Sequence, residues 1–190
     1  FYSSIIFSRF PIIDSGRVRF PRPSLPEVLL HADLLVNNDT LRVFTTHLQS
    51  LQFTRYDYER IEKIKSVEDS LLANSKGILS KLKKGITYRS LQADIVHEVL
   101  GNSPHPYLIC ADLNDVPNSY TYFTVRNELQ DAFLKKGTGV GRSFTSLSPT
   151  LRIDYILANK QLEVLQFKRV TRKLSDHFML VSDLAIKSGK

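Results

Sequence analysis

"YLICADLNDVP", Tyr107 to Pro117, begins as the run of a buried strand and then turns polar, offering Asp112, Asn114 and Asp115 in quick succession. A short, bounded apolar run of this kind reads as a core strand. Strand ends are rigid, so side chains placed there are held to the tolerance a site needs. Pro117 cannot extend a ladder and turns the chain away. Asp112 and Asn114 are therefore expected to project together from the strand end, with Asp115 facing solvent or capping the turn.

Three other apolar runs end in the same way: "TTHLQS" with His47, "RIDYIL" with Asp154, and "LSDHF" with Asp176 and His177. Taken singly, each has a plain structural reading. A lone histidine is more often a satisfied structural residue than a catalyst, and an aspartate commonly caps a turn. Taken together, the chemistry is more specific. Oxygen donors from aspartates and an asparagine suit a hard divalent cation such as Mg²⁺, whereas no Cys or His pair has zinc spacing. Two histidines beside such carboxylates could neutralise a phosphate oxygen or move a proton, and a further carboxylate could orient an imidazole.

Around these ends, "SSIIFSRFPII" followed by "DSG" at 14 to 16 predicts a hairpin. "VLLHADLLVN" and "LRVFTTHLQS" predict an antiparallel pair about Asn38 to Thr40. From Tyr56 the period changes: Ile61, Ile64, Val67, Leu71 and Leu72 line one helical face. A second helical region runs to Leu100, weakened near Gly77 and Gly85, with Leu91, Ile95 and Val99 as its stripe and Gly101 as its stop. A short helix is expected over Ser119 to Asn127, then strands in "RIDYILAN", "LEVLQFKRV" and the segment after "SDHF". The "GTGVG" of 137 to 141 lacks the Lys-Ser/Thr of a phosphate loop and reads as an ordinary loop. Strands interleaved with helices predict one α/β domain over residues 1–190, with mixed or antiparallel sheets.

The chain has 190 residues, which suits one domain with a real core, and its hydrophobic fraction of 42% is that of a globular protein. Its one cysteine, Cys110, excludes an internal disulfide and sits in the strand run as a small hydrophobe. Twenty-six Lys and Arg against 19 Asp and Glu give a net charge of +7, which suits an anionic partner. A solvated basic surface explains the charge equally well.

The ordered set "THLQS", "ADLNDVPNS", "RIDYIL" and "SDHF", with "IIFSRFPI" upstream, resembles the endonuclease/exonuclease/phosphatase superfamily, which includes deoxyribonuclease-like nucleases, abasic-site endonucleases, neutral sphingomyelinases and inositol phosphatases. The resemblance implies an α/β (α+β) fold, a four-layer sandwich in which two mixed, largely antiparallel sheets are flanked by helices. It implies that Asp112 holds and activates the attacking water and that Asn114 binds phosphate oxygens. It makes Asp176 a metal-side carboxylate, with Asp112 and Asn114 also at the metal, and His177 the histidine at the scissile phosphate. Asp154 would orient His177, and His47 would be the other phosphate-side histidine or acid. The implied cofactor is Mg²⁺, with Mn²⁺ as a substitute.

The implied function is Mg²⁺-dependent hydrolysis of phosphate esters, as a phosphodiesterase or endonuclease. The implied partners are a phosphorylated substrate, nucleic acid, or a phospholipid or inositol phosphate; no protein partner is evident. The alternative is a non-catalytic phosphate or nucleic-acid binding module on the same scaffold. In the family, a metal-binding Glu precedes the element matched here by "IIFSRFPI". Phe1 stands immediately before that element, so the resemblance implies that the N-terminal part of the domain, with that Glu, lies outside this chain. Weak or absent Mg²⁺ binding and a homodimer through exposed sheet edges are the corresponding expectations. No compartment is read from the sequence, and a membrane anchor upstream, as some relatives carry, is left open. Leu72 to Ser90 and Leu134 to Thr150 are expected to be recognition loops.

Overall fold

A computed structural model of the chain describes residues 4–21, 28–51, 54, 56, 57, 59, 71–146, 148–172 and 174–187. The elements follow in the order β1 (Ile12–Arg19), β2 (Val28–Val36), β3 (Asp39–His47), α1 (Leu71–Gly101), β4 (Tyr107–Asp112), α2 (Tyr120–Arg126), β5 (Gln130–Asp131), α3 (Ala132–Lys136), β6 (Asp154–Ala158), β7 (Leu162–Val170) and β8 (Met179–Ile186). Six strands form one sheet in the order β1-β2-β3-β4-β6-β5, and β7 pairs with β8 in a second. The large sheet is mixed: β3 and β4 run parallel, and its other neighbours are antiparallel. This is an α/β fold with a mixed sheet, a second sheet and flanking helices.

Strand alternation divides the core in two. On one face Leu29, Phe44, Ile109, Ala111, Tyr155 and Leu157 pack beneath Ala93, Val96 and Leu100 of α1 and Tyr122 and Val125 of α2. On the other, Leu108, Cys110, Ile156 and Ala158 meet Leu162, Val164, Leu180 and Leu184 of the second sheet. Phe44, Ile109 and Leu157 are fully buried, each worth roughly 1.5–3 kcal/mol relative to exposure. The large sheet is thus a slab with helices on one side and the β7-β8 pair on the other.

"DSG" is not a turn, because Asp14, Ser15 and Gly16 continue straight through β1 against β2. The glycine is there for close approach: a Cβ on Gly16 would come 2.5 Å from Cε1 of His31 on the neighbouring strand. Leu72 to Ser90 is helix rather than a recognition loop, and Gly77 and Gly85 do not interrupt α1. Each glycine costs a helix only ~1 kcal/mol, and at Gly85 a Cβ would meet Cδ2 of Leu51 at 2.7 Å. The buried face of α1 is also rotated from the expected stripe: Leu91 is exposed, whereas Arg89, Gln92, Ala93, Val96 and Leu100 are buried. Of the helix expected from Tyr56, Ile61, Ile64 and Val67 lie outside the described residues.

The β2-β3 hairpin forms as expected, closed at Val36↔Asp39 with Asn37 at φ 58, a left-handed value that asparagine tolerates. The short helix after β4 starts at Tyr120, capped by the Ser119 hydroxyl, which accepts from Tyr122 N, and ends at Asn127. The two-residue strand β5 and the helix α3 have no sequence signal strong enough to predict. Asp131 both closes the sheet and caps α3, accepting from Phe133 N and Leu134 N. Among the described residues no helix is long and apolar enough to cross a membrane.

Candidate active site

The pairing register builds the site before any side chain is considered. His47 ends β3 opposite Asp112 at the end of β4, and Asp112 stands opposite Asp154 at the start of β6. Three polar residues that are distant in sequence therefore form one row across three adjacent strands, which lie ~4.8 Å apart. Alternation puts them on the face of Cys110 and Ile156, the side that receives the second sheet. The polar row thus continues an apolar face at the point where its cover ends.

His177 reaches the row through an isolated bridge, Phe144↔His177. Ser143 organises the junction. Its hydroxyl accepts from Ile153 N at 2.9 Å and Asp154 N at 3.0 Å, and its carbonyl accepts from Phe178 N at 2.7 Å. The His177 ring stacks at a tilt on Phe144, centroids 4.8 Å apart, and Nδ1 lies 2.9 Å from Asp154 Oδ2 and 3.1 Å from Oδ1. The hydrogen bond to Asp154 raises the His177 pKa above its ordinary value against an opposing effect of burial.

At the other side of the row, Asp112 Oδ1 accepts from Asn114 N at 2.8 Å in an Asx turn, and Asn114 takes a φ of 50°. The amide nitrogen of Asn114 donates to Leu48 O at 2.9 Å and lies 3.0 Å from His47 Nε2, which serves as the acceptor. Asn114 therefore positions His47 directly. Asp112 Oδ2 stands 3.5 Å from the same His47 nitrogen. Burial first, and then the neighbouring Asp154 anion, push the Asp112 carboxyl up to about 7.

Asp112, Asp154 and His177 each offer a ligand atom within 4.8 Å of the others, so this cluster has the spacing to hold a metal ion. The donors fit a hard cation, since two carboxylates held together at partial burial repel one another until positive charge is supplied. Asp176, expected on the metal side, lies outside this cluster and is exposed. Its carboxylate accepts from Ser175 Oγ at 3.0 Å, and its carbonyl accepts from Thr145 N at 2.8 Å, so here it fixes the loop that carries His177.

Asp115 does not face solvent. Its Oδ2 accepts from Arg89 Nε at 3.0 Å and Thr121 Oγ1 at 2.9 Å, and Oδ1 accepts from Val116 N at 3.1 Å. Arg89 also donates to Gln49 O at 3.1 Å, and Gln92 Oε1 accepts from Gln49 N at 2.8 Å. The Tyr155 hydroxyl donates to Asp115 O at 2.8 Å. Arg89, Gln92, Ser143 and Phe144 thus position the site without belonging to any motif, and Tyr155 does so from within "RIDYIL". Arg89 and Gln92 did leave a signal, as polar residues at helical spacing from Ala93, Val96 and Leu100.

The model of the Endonuclease/Exonuclease/phosphatase family matches residues 2–177, the span that carries every residue of the row and His177. The chain belongs to this family. Its members are hydrolytic phosphoesterases, and the fold agrees with solved family structures. The catalytic domain of human nocturnin with bound sulfate is similar over 94% of this chain and 61% of its own, with TM-score 0.60 and 16% identity. TDP2 of D. rerio complexed with single strand DNA product is similar over 93% of this chain and 69% of its own, with TM-score 0.60 and 15% identity. A mannosyl-6-phosphatase of Bacteroides thetaiotaomicron is similar over 93% and 67%, with TM-score 0.55 and 15% identity. No curated protein sequence matches the chain. The family member described here spans less than two thirds of the nocturnin domain's length.

Proposed function

We propose that this chain carries the hydrolytic centre of a divalent-metal-dependent phosphoesterase, acting on phosphodiesters. The observation that carries the reading is the row His47, Asp112, Asp154 across three strands, completed by His177 bonded to Asp154. A catalyst needs that combination of base, cation and oriented imidazole, whereas a binding module needs only positive charge.

In this reading the Asp112 and Asp154 carboxylates are the oxygen donors for a cation of the Mg²⁺ class. Such a cation, when bound, supplies positive charge against the negative charge that develops on the phosphoryl oxygens. The rest is done by the chain. Asp112, with a carboxyl pushed up to about 7, is matched to accept a water proton near neutral pH. As oxygen from that water bonds to phosphorus, the ester P–O bond breaks and the leaving oxygen must be protonated. His177, whose proton affinity the hydrogen bond to Asp154 raises, can when protonated donate from Nε2 to a phosphoryl or leaving oxygen. Asn114, anchored on the Leu48 carbonyl, holds His47 on the opposite side.

The net charge of +7 supports a polyanionic substrate, and nucleic acid is the first candidate. Anionic phospholipid and inositol phosphates share the same chemistry. Because weak Mg²⁺ binding is expected, turnover would be measured across an Mg²⁺ titration carried to saturation, on plasmid, abasic duplex, phospholipid and inositol phosphate substrates. Cleavage of one or both DNA substrates is expected. Turnover confined to a phosphomonoester would overturn the diester assignment, and no turnover on any substrate would favour the binding module.

A further inference from the structure

The end of the large sheet remote from the catalytic row holds a cavity of about 380 Å³, whose lining includes Arg126, Glu128, Gln130, Lys135, Lys160 and Lys187. Gln130 stands opposite Ala158, at the far end of β6 from Asp154. Four residue steps along the strand put it ~13 Å from the row. A phosphate group held at His177 does not reach it.

The charge of the wall is unbalanced. Asp131, its deepest acid, is spent inward: Oδ2 accepts from Arg152 Nη1 at 2.7 Å and from the Tyr122 hydroxyl at 2.8 Å, while Oδ1 accepts from Phe133 N at 2.9 Å. Glu128 is taken up at the rim by Lys160, at 2.7 Å. Lys187 donates to the Lys160 carbonyl at 2.7 Å, a neutral acceptor, and has no carboxylate partner among the described residues. Lys135 has no carboxylate partner among the described residues. Arg126 lies over the Tyr122 ring at 5.9 Å, and its Nε is buried without a hydrogen-bond partner.

We propose that this cavity is a second anion site that takes the phosphate group of a small phosphorylated molecule. An arginine fork and flexible lysine ammonium groups about one concavity are the set that recognises a dianion of the phosphate class. The volume lies within the range of small-molecule sites and exceeds what a bare phosphate fills, so room is left for an attached organic moiety. A nucleic-acid backbone needs a continuous basic stripe rather than a local, half-open pocket.

The test is titration of the protein with inorganic phosphate and with glycerol 3-phosphate at constant ionic strength, read from the backbone amide shifts of Glu128 to Asp131. Saturable shifts are expected with both, tighter for glycerol 3-phosphate. Lys135→Gln with Lys187→Gln changes two exposed side chains and keeps the fold; it should weaken half-saturation by about tenfold. Arg126→Gln should weaken it further while shifts near His177 persist. Absence of saturable shifts at these amides, shifts that chloride reproduces, or unchanged affinity in both variants would overturn the proposal.

Discussion

Arg89 of α1, only 3% exposed at its side chain, bonds Asp115 in the segment after β4 and the Gln49 carbonyl in the segment after β3. One buried cation therefore ties together the two stretches that leave the strands bearing His47 and Asp112. Removing it leaves the largely buried Asp115 carboxylate with Thr121 Oγ1 and Val116 N but without a counter-charge. Arg89→Met is expected to cost about 3–5 kcal/mol, read as a fall in the midpoint of urea unfolding. Arg89→Lys keeps the charge but cannot make both bonds, so it should fall between the two. A loss below about 1 kcal/mol for Arg89→Met would show that the segments are held by other contacts.

The His177–Asp154 pair makes a prediction independent of turnover. Because Asp154 raises the pKa of His177 above 6.5, the imidazolium persists to higher pH than in an unpaired histidine. Asp154→Asn removes the anion and leaves burial, which acts in the opposite direction, so the pKa should fall. Titration of the His177 ring resonances checks this directly. A pKa that does not move in Asp154→Asn would mean that the pair is geometric only.

Asp112 ties stability to pH with the opposite sense from an ordinary ion-paired carboxylate. Its folded pKa of about 7 stands above the ordinary 3.8, so between these values the folded state holds a proton that the unfolded state has released. Stability is then lost as pH rises from about 4 to 7 and stays reduced above that. Asp112→Asn should be the more stable protein at pH 8 and close to wild type at pH 4. Thermal unfolding at the two pH values measures the difference, and a variant less stable at pH 8 contradicts the assignment.

The same residues show what the sequence made legible. Strand ends carrying His47, Asp112 and Asp154 could be picked out because an apolar run stopping at a polar residue is a local signal, and their alignment follows once the strands pair. His177 was visible through its motif, but its route to Asp154 was not. That route depends on Ser143 and Phe144, at the end of a glycine-containing loop with no periodicity. Asp115 accepts from Val116 N within its turn, but its main partner was not legible: Arg89 comes from a helix 26 residues earlier, and turn chemistry alone cannot reveal a distant counter-charge. Gly16 was misjudged because a strand glycine that makes room for His31 looks like a turn glycine until the neighbouring strand is known.

The central claim, that this row and His177 form a hydrolytic centre, is tested most directly on bis(p-nitrophenyl) phosphate with Mg²⁺. The wild type would be compared with Asp154→Asn and His177→Ala, and each with chelator added. The account predicts hydrolysis that chelation abolishes, reduced ~10²–10⁴-fold in both variants with the fold intact. Hydrolysis that survives chelation, or that proceeds at a near-normal rate in either variant, would contradict it.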